Sequence, residues 1–316
     1  MAHIGSSALD VFPIALGANT FGWTADRDVA FEILDAFTAG GGSLVDTADV
    51  YSAWAPGNSG GESETIIGEW IVARGGRDRL VVATKVSNHP EYRGLSAENI
   101  AAACEQSLRR LQTDHIDLYF AHFDDPETPL EETIRAFAGL VERGLVRYVG
   151  LSNYTPARIS EWIETAGRLG VAQPIALQPH YNLLNRQPFE SEVQPLAAEH
   201  GLGVLPYFGL AAGFLTGKYR SAQDAEGVAR GSMIASYLNE TGFAVAEEVR
   251  AIAAERGVQP ASVALAWLRA QPTISAPIAG ATRLEQVPPL LEAATLELDE
   301  SERERLERIS AAFQPA

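Results

Sequence analysis

The chain has 316 residues, 46% of them hydrophobic, enough for one large domain or two ordinary ones. Its 24 basic residues face 41 acidic ones, a net charge of −17, which argues against nucleic acid or an anionic membrane as a partner. No stretch approaches the roughly 18–20 apolar residues of a membrane span, the start Met1–Ser7 lacks the layout of a secretory signal, and the lone Cys104 excludes a disulfide framework or a cysteine-based zinc site, so the cytosol is the expected compartment.

Taken in order, short apolar runs alternate with helical spacings. Residues 14–17 form a first apolar run, and 29–37 have helical spacing that ends at Gly40, Gly41 and Gly42. Strand 44–46 and helix 64–72 follow, then strand 80–85 and helix 97–111, the latter opened by the cap Ser96. Strand 116–122, helix 130–141 and strand 146–151 come next, and Pro156 opens a helix to Arg168 as a first-turn proline. Strand 175–178, helix 189–199 and strand 203–207 lead into an irregular stretch, 209–242. Helices 244–255 and 261–270, a last strand at 274–278, and two polar helices near 284–293 and 300–311 complete the chain.

About eight short, nearly continuous apolar strands, each followed by a helix, predict buried parallel strands and a single-domain α/β (β/α)8 TIM barrel over residues 1–316 with extra C-terminal helices. A doubly wound sheet would carry a Gly-x-Gly-x-x-Gly turn after an early strand, and the glycines at 40–42 and at 57, 60 and 61 have the wrong spacing.

In a parallel barrel the chemistry gathers at the carboxyl ends of the strands. Asp46 stands after the second strand, Lys85 closes the third and His122 the fourth. Ser152 and Asn153 follow the fifth, Gln178 ends the sixth, and Tyr207 to Leu210 follow the seventh. Singly, each has an ordinary structural explanation as a cap or a satisfied core group. Their convergence on one rim does not. Of the 24 cations only Lys85 and Lys218 are lysine, the other 22 being arginine, so lysine at these two positions asks for a reason.

Several segments together carry a family likeness: Asp46-Thr47-Ala48-Asp49-Val50-Tyr51, Ala83-Thr84-Lys85, the run from Ser107 to Tyr119 with His122 beyond it, and Gly150-Leu151-Ser152-Asn153. Leu215 to Tyr219 and Gly280 to Gln286 complete the set. With these motifs the chain resembles an aldo-keto reductase from Leu16 to Gln286. The resemblance implies a nicotinamide-dependent barrel that reduces aldehydes or ketones, with a catalytic tetrad of Asp46, Tyr51, Lys85 and His122. It further implies that Ser152, Asn153 and Gln178 hold the carboxamide and that Tyr207 stacks beneath the nicotinamide. Phe208, Gly209, Leu210 and Lys218 would meet the pyrophosphate, and Gly280, Thr282, Arg283 and Gln286 would surround the adenosine end. Asn19 and Trp23 would line the near rim beside Asp46, and Arg230 would fold over the cofactor. Arg283 stands where the 2′-phosphate of NADP should arrive, so NADPH is the expected cofactor.

The tetrad has its own physical logic. Hydride transfer to a carbonyl leaves an alkoxide that needs a proton, and a phenol is a poor acid unless its anion is stabilised. An ammonium at Lys85 would do that, held by Asp46, while His122 orients the carbonyl oxygen. Trp23, Trp54, Phe123 and Tyr181, with His89 as a further candidate, would wall an aromatic substrate pocket.

Two departures from the family pattern stand out. Phe208-Gly209 replaces a Ser-Pro pair, and Pro289-Leu290 replaces an acid-amide pair that meets adenine in relatives. The competing reading is a cofactor-sensing regulatory subunit of the same fold with little turnover. A barrel lyase or isomerase would want a phosphate site or a metal cluster, and the histidines show no ligand spacing. Oligomeric state is not readable from the sequence.

Overall fold

The computed structural model describes residues 1–225, 227 and 231–313. Arg230, expected at the cofactor, lies outside the described residues. Eight parallel strands form one sheet: β1 (Ala15–Gly17), β2 (Leu44–Asp46), β3 (Val81–Val86), β4 (Ile116–Ala121), β5 (Val146–Ser152), β6 (Pro174–Gln178), β7 (Gly203–Val204) and β8 (Ile278–Gly280). Neighbours in space are neighbours in sequence from β1 to β7, and β8 pairs with β1. The remaining edge closes through the approach to β8. Val204 N donates to Thr273 O at 2.9 Å and Ile278 N to Pro206 O at 2.9 Å, while Ala15 N reaches Pro277 O at 2.9 Å on the other side. The sheet is therefore a closed (β/α)8 barrel.

The helices that cover it are α1 (Arg27–Ala39), α2 (Glu62–Arg74), α3 (Ala97–Leu111), α4 (Leu130–Glu142), α5 (Pro156–Leu169) and α6 (Gln194–Glu199). After the long segment beyond β7 come α7 (Glu240–Arg256), α8 (Pro260–Arg269), α9 (Val287–Ala293) and α10 (Glu300–Ala311). Their starts follow local chemistry. Asp26, Ser96, Thr155 and Asn239 each accept a backbone N–H with the side chain, and α10 opens with a reciprocal Asp299–Glu302 capping box.

Strand alternation sorts the core into two layers. Leu44, Ala83, Leu118, Phe120, Ala176 and Leu205 fill the barrel interior, whereas Val45, Val82, Tyr119 and Leu177 pack outward against helices. The bottom of the interior is plugged by a two-residue hairpin, Ala2–His3 against Asp10–Val11, which brings Ile4, Leu9 and Val11 into the inner layer. Helices α2 and α3 are fastened to β3 by a buried carboxylate: Glu64 accepts from Thr84 Oγ1 at 2.5 Å and from Arg110 Nε at 2.7 Å.

The same period of two positions the site. Asp46 lies two residues beyond inward-facing Leu44, Lys85 two beyond Ala83, and Gln178 two beyond Ala176, so all three project into the upper end of the barrel.

Candidate active site at the barrel mouth

Lys85 is fully enclosed, and its ammonium meets three acceptors: Asp46 Oδ2 at 2.8 Å, the Thr47 carbonyl at 2.6 Å and the Tyr51 hydroxyl at 3.0 Å. An ammonium has three N–H donors, so each finds a partner. Asp46 is held in turn by Gln178, whose Nε2 donates to Oδ1 at 2.8 Å, and the Tyr51 hydroxyl lies 3.4 Å from Oδ2. The loop 47–51 therefore folds the phenol back over the end of β2, with its backbone pinned by Thr47 N to Ala83 O at 2.8 Å.

Burial pulls Lys85 below its ordinary value, and the Asp46 carboxylate opposes that. With every N–H paired, the ammonium stays charged at neutral pH. Burial, and after it the charge of Asp46, pushes the Tyr51 phenol well above its ordinary value of 10. In the resting site burial and the carboxylate hold the phenol in its protonated form. His122 sits beside Tyr51, ring centroids 6.2 Å apart, with Nδ1 buried and without a hydrogen-bond partner among the described residues. Burial and the Lys85 ammonium hold its imidazole well below the usual histidine range, hence neutral.

A second set of groups adjoins the tetrad. Asn153, in a left-handed conformation at φ 59°, donates from Nδ2 to His122 O at 2.9 Å and to Ser152 Oγ at 3.0 Å, and accepts from Tyr207 OH at 2.8 Å. Ser152 Oγ donates to Gln178 O at 2.9 Å. Beyond Tyr207 the backbone makes a tight turn. Phe208, Ala211 and Ala212 all have positive φ, at 55°, 48° and 55°, and Ala211 N closes back on Phe208 O at 2.7 Å. Leu210 and buried Gly209 lie inside this turn. The exposed Lys218 leans its ammonium over it near Gly213, 4.8 Å from the Tyr219 ring centroid.

On the far side, Gly280 packs so close that a Cβ there would lie 2.9 Å from Gly17 O and 3.2 Å from Asn19 Oδ1. Gln286 Oε1 accepts from Thr282 N at 2.7 Å, which ties down the turn that presents Arg283. That guanidinium is 67% exposed and lies 3.8 Å from Glu285, free enough to meet a ligand anion. The residues present thus fit an extended dinucleotide: an aromatic face, an amide-rich end, a backbone turn with an ammonium beside it, and an exposed arginine.

Trp23, Trp54 and Tyr51 form a contiguous aromatic wall, with Trp23–Trp54 centroids 5.7 Å apart and Tyr51–Trp54 6.1 Å apart. Phe123 adjoins His122 at 4.8 Å and is exposed, as is Trp54. Tyr181 is elsewhere. Past the end of β6 its ring turns outward and is wholly buried between Phe189 and Trp267, its hydroxyl donating to Glu190 at 2.8 Å. His89 is buried under Gly60 and against Tyr92. Residue reading also passed over Asn182 and Tyr237, which meet His180 beside Tyr207.

The family described as "Aldo/keto reductase family" matches residues 13–311. The chain belongs to the aldo/keto reductase family. It is 36% identical to "Uncharacterized oxidoreductase YrpG" of Bacillus subtilis, over 94% of this chain and 91% of that protein. It is 33% identical to a protein of Oryza sativa subsp. japonica named "Probable voltage-gated potassium channel subunit beta", over 90% and 88%. It is 32% identical to "Aryl-alcohol dehydrogenase [NADP(+)]" of Phanerodontia chrysosporium, over 92% and 80%. The chain is thus an aldo/keto reductase-family oxidoreductase on a TIM barrel. Among the described residues no helix is long and apolar enough to cross a membrane, and no group of three or more His, Cys, Asp or Glu could hold a metal ion.

Proposed function

We propose that this protein, read as one barrel domain, reduces small-molecule aldehydes or ketones to alcohols with NADPH in the cytoplasm. The observation that carries this reading is the three-way pairing of the Lys85 ammonium with Asp46, Thr47 O and Tyr51 OH, which holds a protonated phenol at the mouth of the barrel. A bound nicotinamide would supply the hydride. Tyr51 would give its proton to the nascent alkoxide, and Lys85 would stabilise the negative charge left on the phenol oxygen. Asp46, fixed by Gln178, keeps the ammonium in place. His122, neutral, would offer one N–H to the carbonyl oxygen and orient it beside Tyr51.

Ser152, Asn153 and Gln178 would bind the carboxamide and Tyr207 would support the nicotinamide ring. The turn at Phe208, Gly209 and Leu210 with Lys218 would take the pyrophosphate, and Gly280, Thr282, Arg283 and Gln286 the adenosine end, Arg283 meeting a 2′-phosphate. Asn19, Asp46 and Trp23 complete the rim. The wall of Trp23, Trp54 and Phe123 favours aromatic or apolar carbonyls over sugars. The likeness to a protein named as an NADP(+)-linked aryl-alcohol dehydrogenase supports both cofactor and substrate class.

A second reading, a cofactor-sensing subunit with little turnover, draws on the likeness to a protein named as a potassium channel subunit. A panel of aromatic and aliphatic aldehydes with NADPH and NADH, followed at the nicotinamide absorbance band, separates the two. Oxidation of NADPH dependent on an aromatic aldehyde supports the reductase. Tight NADPH binding without turnover of any carbonyl favours the subunit.

A further inference from the structure

His180 occupies a position that the tetrad leaves unused. Its ring lies stacked on Tyr207, centroids 5.3 Å apart and planes 20° from parallel, and edge-on to Phe208 at 5.2 Å. Its Nε2 faces two donors, Asn182 Nδ2 at 3.3 Å and the Tyr237 hydroxyl at 3.4 Å. The direction of these bonds is fixed by the backbone. Asn182 Oδ1 accepts from Leu184 N at 2.7 Å and Nδ2 donates to Phe208 O at 2.8 Å, so the amide presents an N–H, not an oxygen, to the imidazole. His180 Nε2 must therefore accept, and the ring proton sits on Nδ1. Burial agrees, pulling this imidazole down to about 4.

Tyr237 belongs to the short helical segment 231–237 that follows the turn after β7. Its ring is anchored in an apolar cluster with Phe214 at 5.9 Å and Phe313 at 6.1 Å, leaving the hydroxyl as its one polar end. Through His180 and Asn182 that hydroxyl is joined to Phe208 O, and Phe208 O also accepts from Ala211 N in the left-handed turn. Through the Tyr207 ring and its bond to Asn153 the same network reaches the backbone of His122. One imidazole thus touches the aromatic platform, and through a single amide the turn beside Lys218, while fastening segment 231–237 to both.

We propose that His180 is a positioning residue for the cofactor, backing Tyr207 and pinning segment 231–237 to the turn at 208–213, so that dinucleotide release requires this fastening to loosen. The inference rests on the nicotinamide-dependent reading above. Two substitutions separate acceptance from packing. His180→Phe keeps an aromatic ring against Tyr207 but removes the acceptor, and Tyr237→Phe keeps the apolar cluster but removes the donor.

His180→Phe removes the acceptor that Asn182 Nδ2 and the Tyr237 hydroxyl share, and Tyr237→Phe removes one of its donors. Both bonds are long, so the effect should be modest, and each variant should release NADPH about tenfold faster in stopped-flow displacement. The double variant should be no faster than the faster single one, since either substitution breaks the same link. Hydride transfer from pre-bound NADPH in a single turnover should stay within about twofold. His180→Gln, which returns an acceptor oxygen, should recover part of the slow release. In cofactor-free protein, amide exchange at 208–213 should quicken in both variants while the strands keep wild-type protection.

Unchanged release in both singles, or strictly additive effects in the double, overturns the inference while leaving the reductase reading intact. A wild-type protein that binds neither NADPH nor NADH overturns that reading and this inference with it.

Discussion

Arginine replaces lysine almost everywhere in this chain, so Lys85→Arg is the substitution its composition would favour and the site should refuse. The Lys85 pocket is fully enclosed and offers three acceptors at 2.6–3.0 Å, one for each ammonium N–H. A guanidinium brings five N–H donors in a rigid plane, so at least two would be buried without partners. At about 1–3 kcal/mol each this costs roughly 2–6 kcal/mol unless the side chain is expelled. Expulsion would displace the phenol it now holds at 3.0 Å, and a misplacement of about 1 Å at a reacting centre costs on the order of 100-fold. Turnover of an aromatic aldehyde at saturating NADPH should therefore fall about 100-fold or more, with the far-ultraviolet circular dichroism unchanged. Lys218→Arg, on an exposed side chain beside a backbone turn, should only shift cofactor affinity modestly. Retention of more than about a tenth of wild-type turnover by Lys85→Arg would refute the reasoning, since a misplacement of about 1 Å carries an expected loss on the order of 100-fold.

Arg283→Ala should raise the Michaelis constant for NADPH much more than that for NADH; equal effects would remove the 2′-phosphate assignment. His122 is held neutral in the fold, whereas an unfolded histidine takes up a proton below about 6.5. Protons then favour the unfolded chain, and stability falls as pH drops below that value. His122→Asn should show a shallower loss of melting temperature between about pH 6.5 and 5 than wild type, and an identical slope would contradict the neutral assignment. Gly68 in α2 lies against the α3 backbone, where a Cβ would run into the Arg110 carbonyl and come within 2.9 Å of Leu111 Cα. Gly68→Ala should destabilise by on the order of 3 kcal/mol in urea unfolding, despite alanine's better helix propensity; a neutral result would mean the two helices can part without cost.

Much of this was legible in the residues because local and global signals agreed. Strand 44–46 and helices 97–111 and 300–311 fall where the apolar pattern and, for helix 97–111, the cap Ser96 place them. The barrel's closing seam was harder to read. The sequence suggests strands 203–207 and 274–278, but regular pairing is confined to 203–204 and 278–280, since Pro206 and Pro277 offer no N–H to the ladder. Helix 189–199 begins as a wider π turn over Phe189–Val193 before α6. The N-terminal plug is two residues per strand, too short for any periodicity to register.

Within the site, strand ends point to Asp46, Lys85, His122 and Gln178, but the balance of charge on Tyr51 required distances. The phenol comes to 3.4 Å from Asp46 Oδ2 and 3.0 Å from Lys85 Nζ only because the loop 47–51 folds back over β2 and excludes water. Tyr181 lies past the last residue of β6, where no strand period assigns a face, and Phe189 and Trp267 set its place in the outer core. The His180–Asn182–Tyr237 network joins residues 57 apart in sequence, a separation that no local pattern encodes.

The central claim is that Tyr51 delivers the proton, and Tyr51→Phe tests it most directly by keeping the ring and removing only the hydroxyl. In a single turnover with NADPH and an aromatic aldehyde, the account predicts a rate about 10²–10⁴-fold below wild type while NADPH affinity stays within about twofold. A loss of less than about tenfold would contradict it and move the proton donor elsewhere in the site.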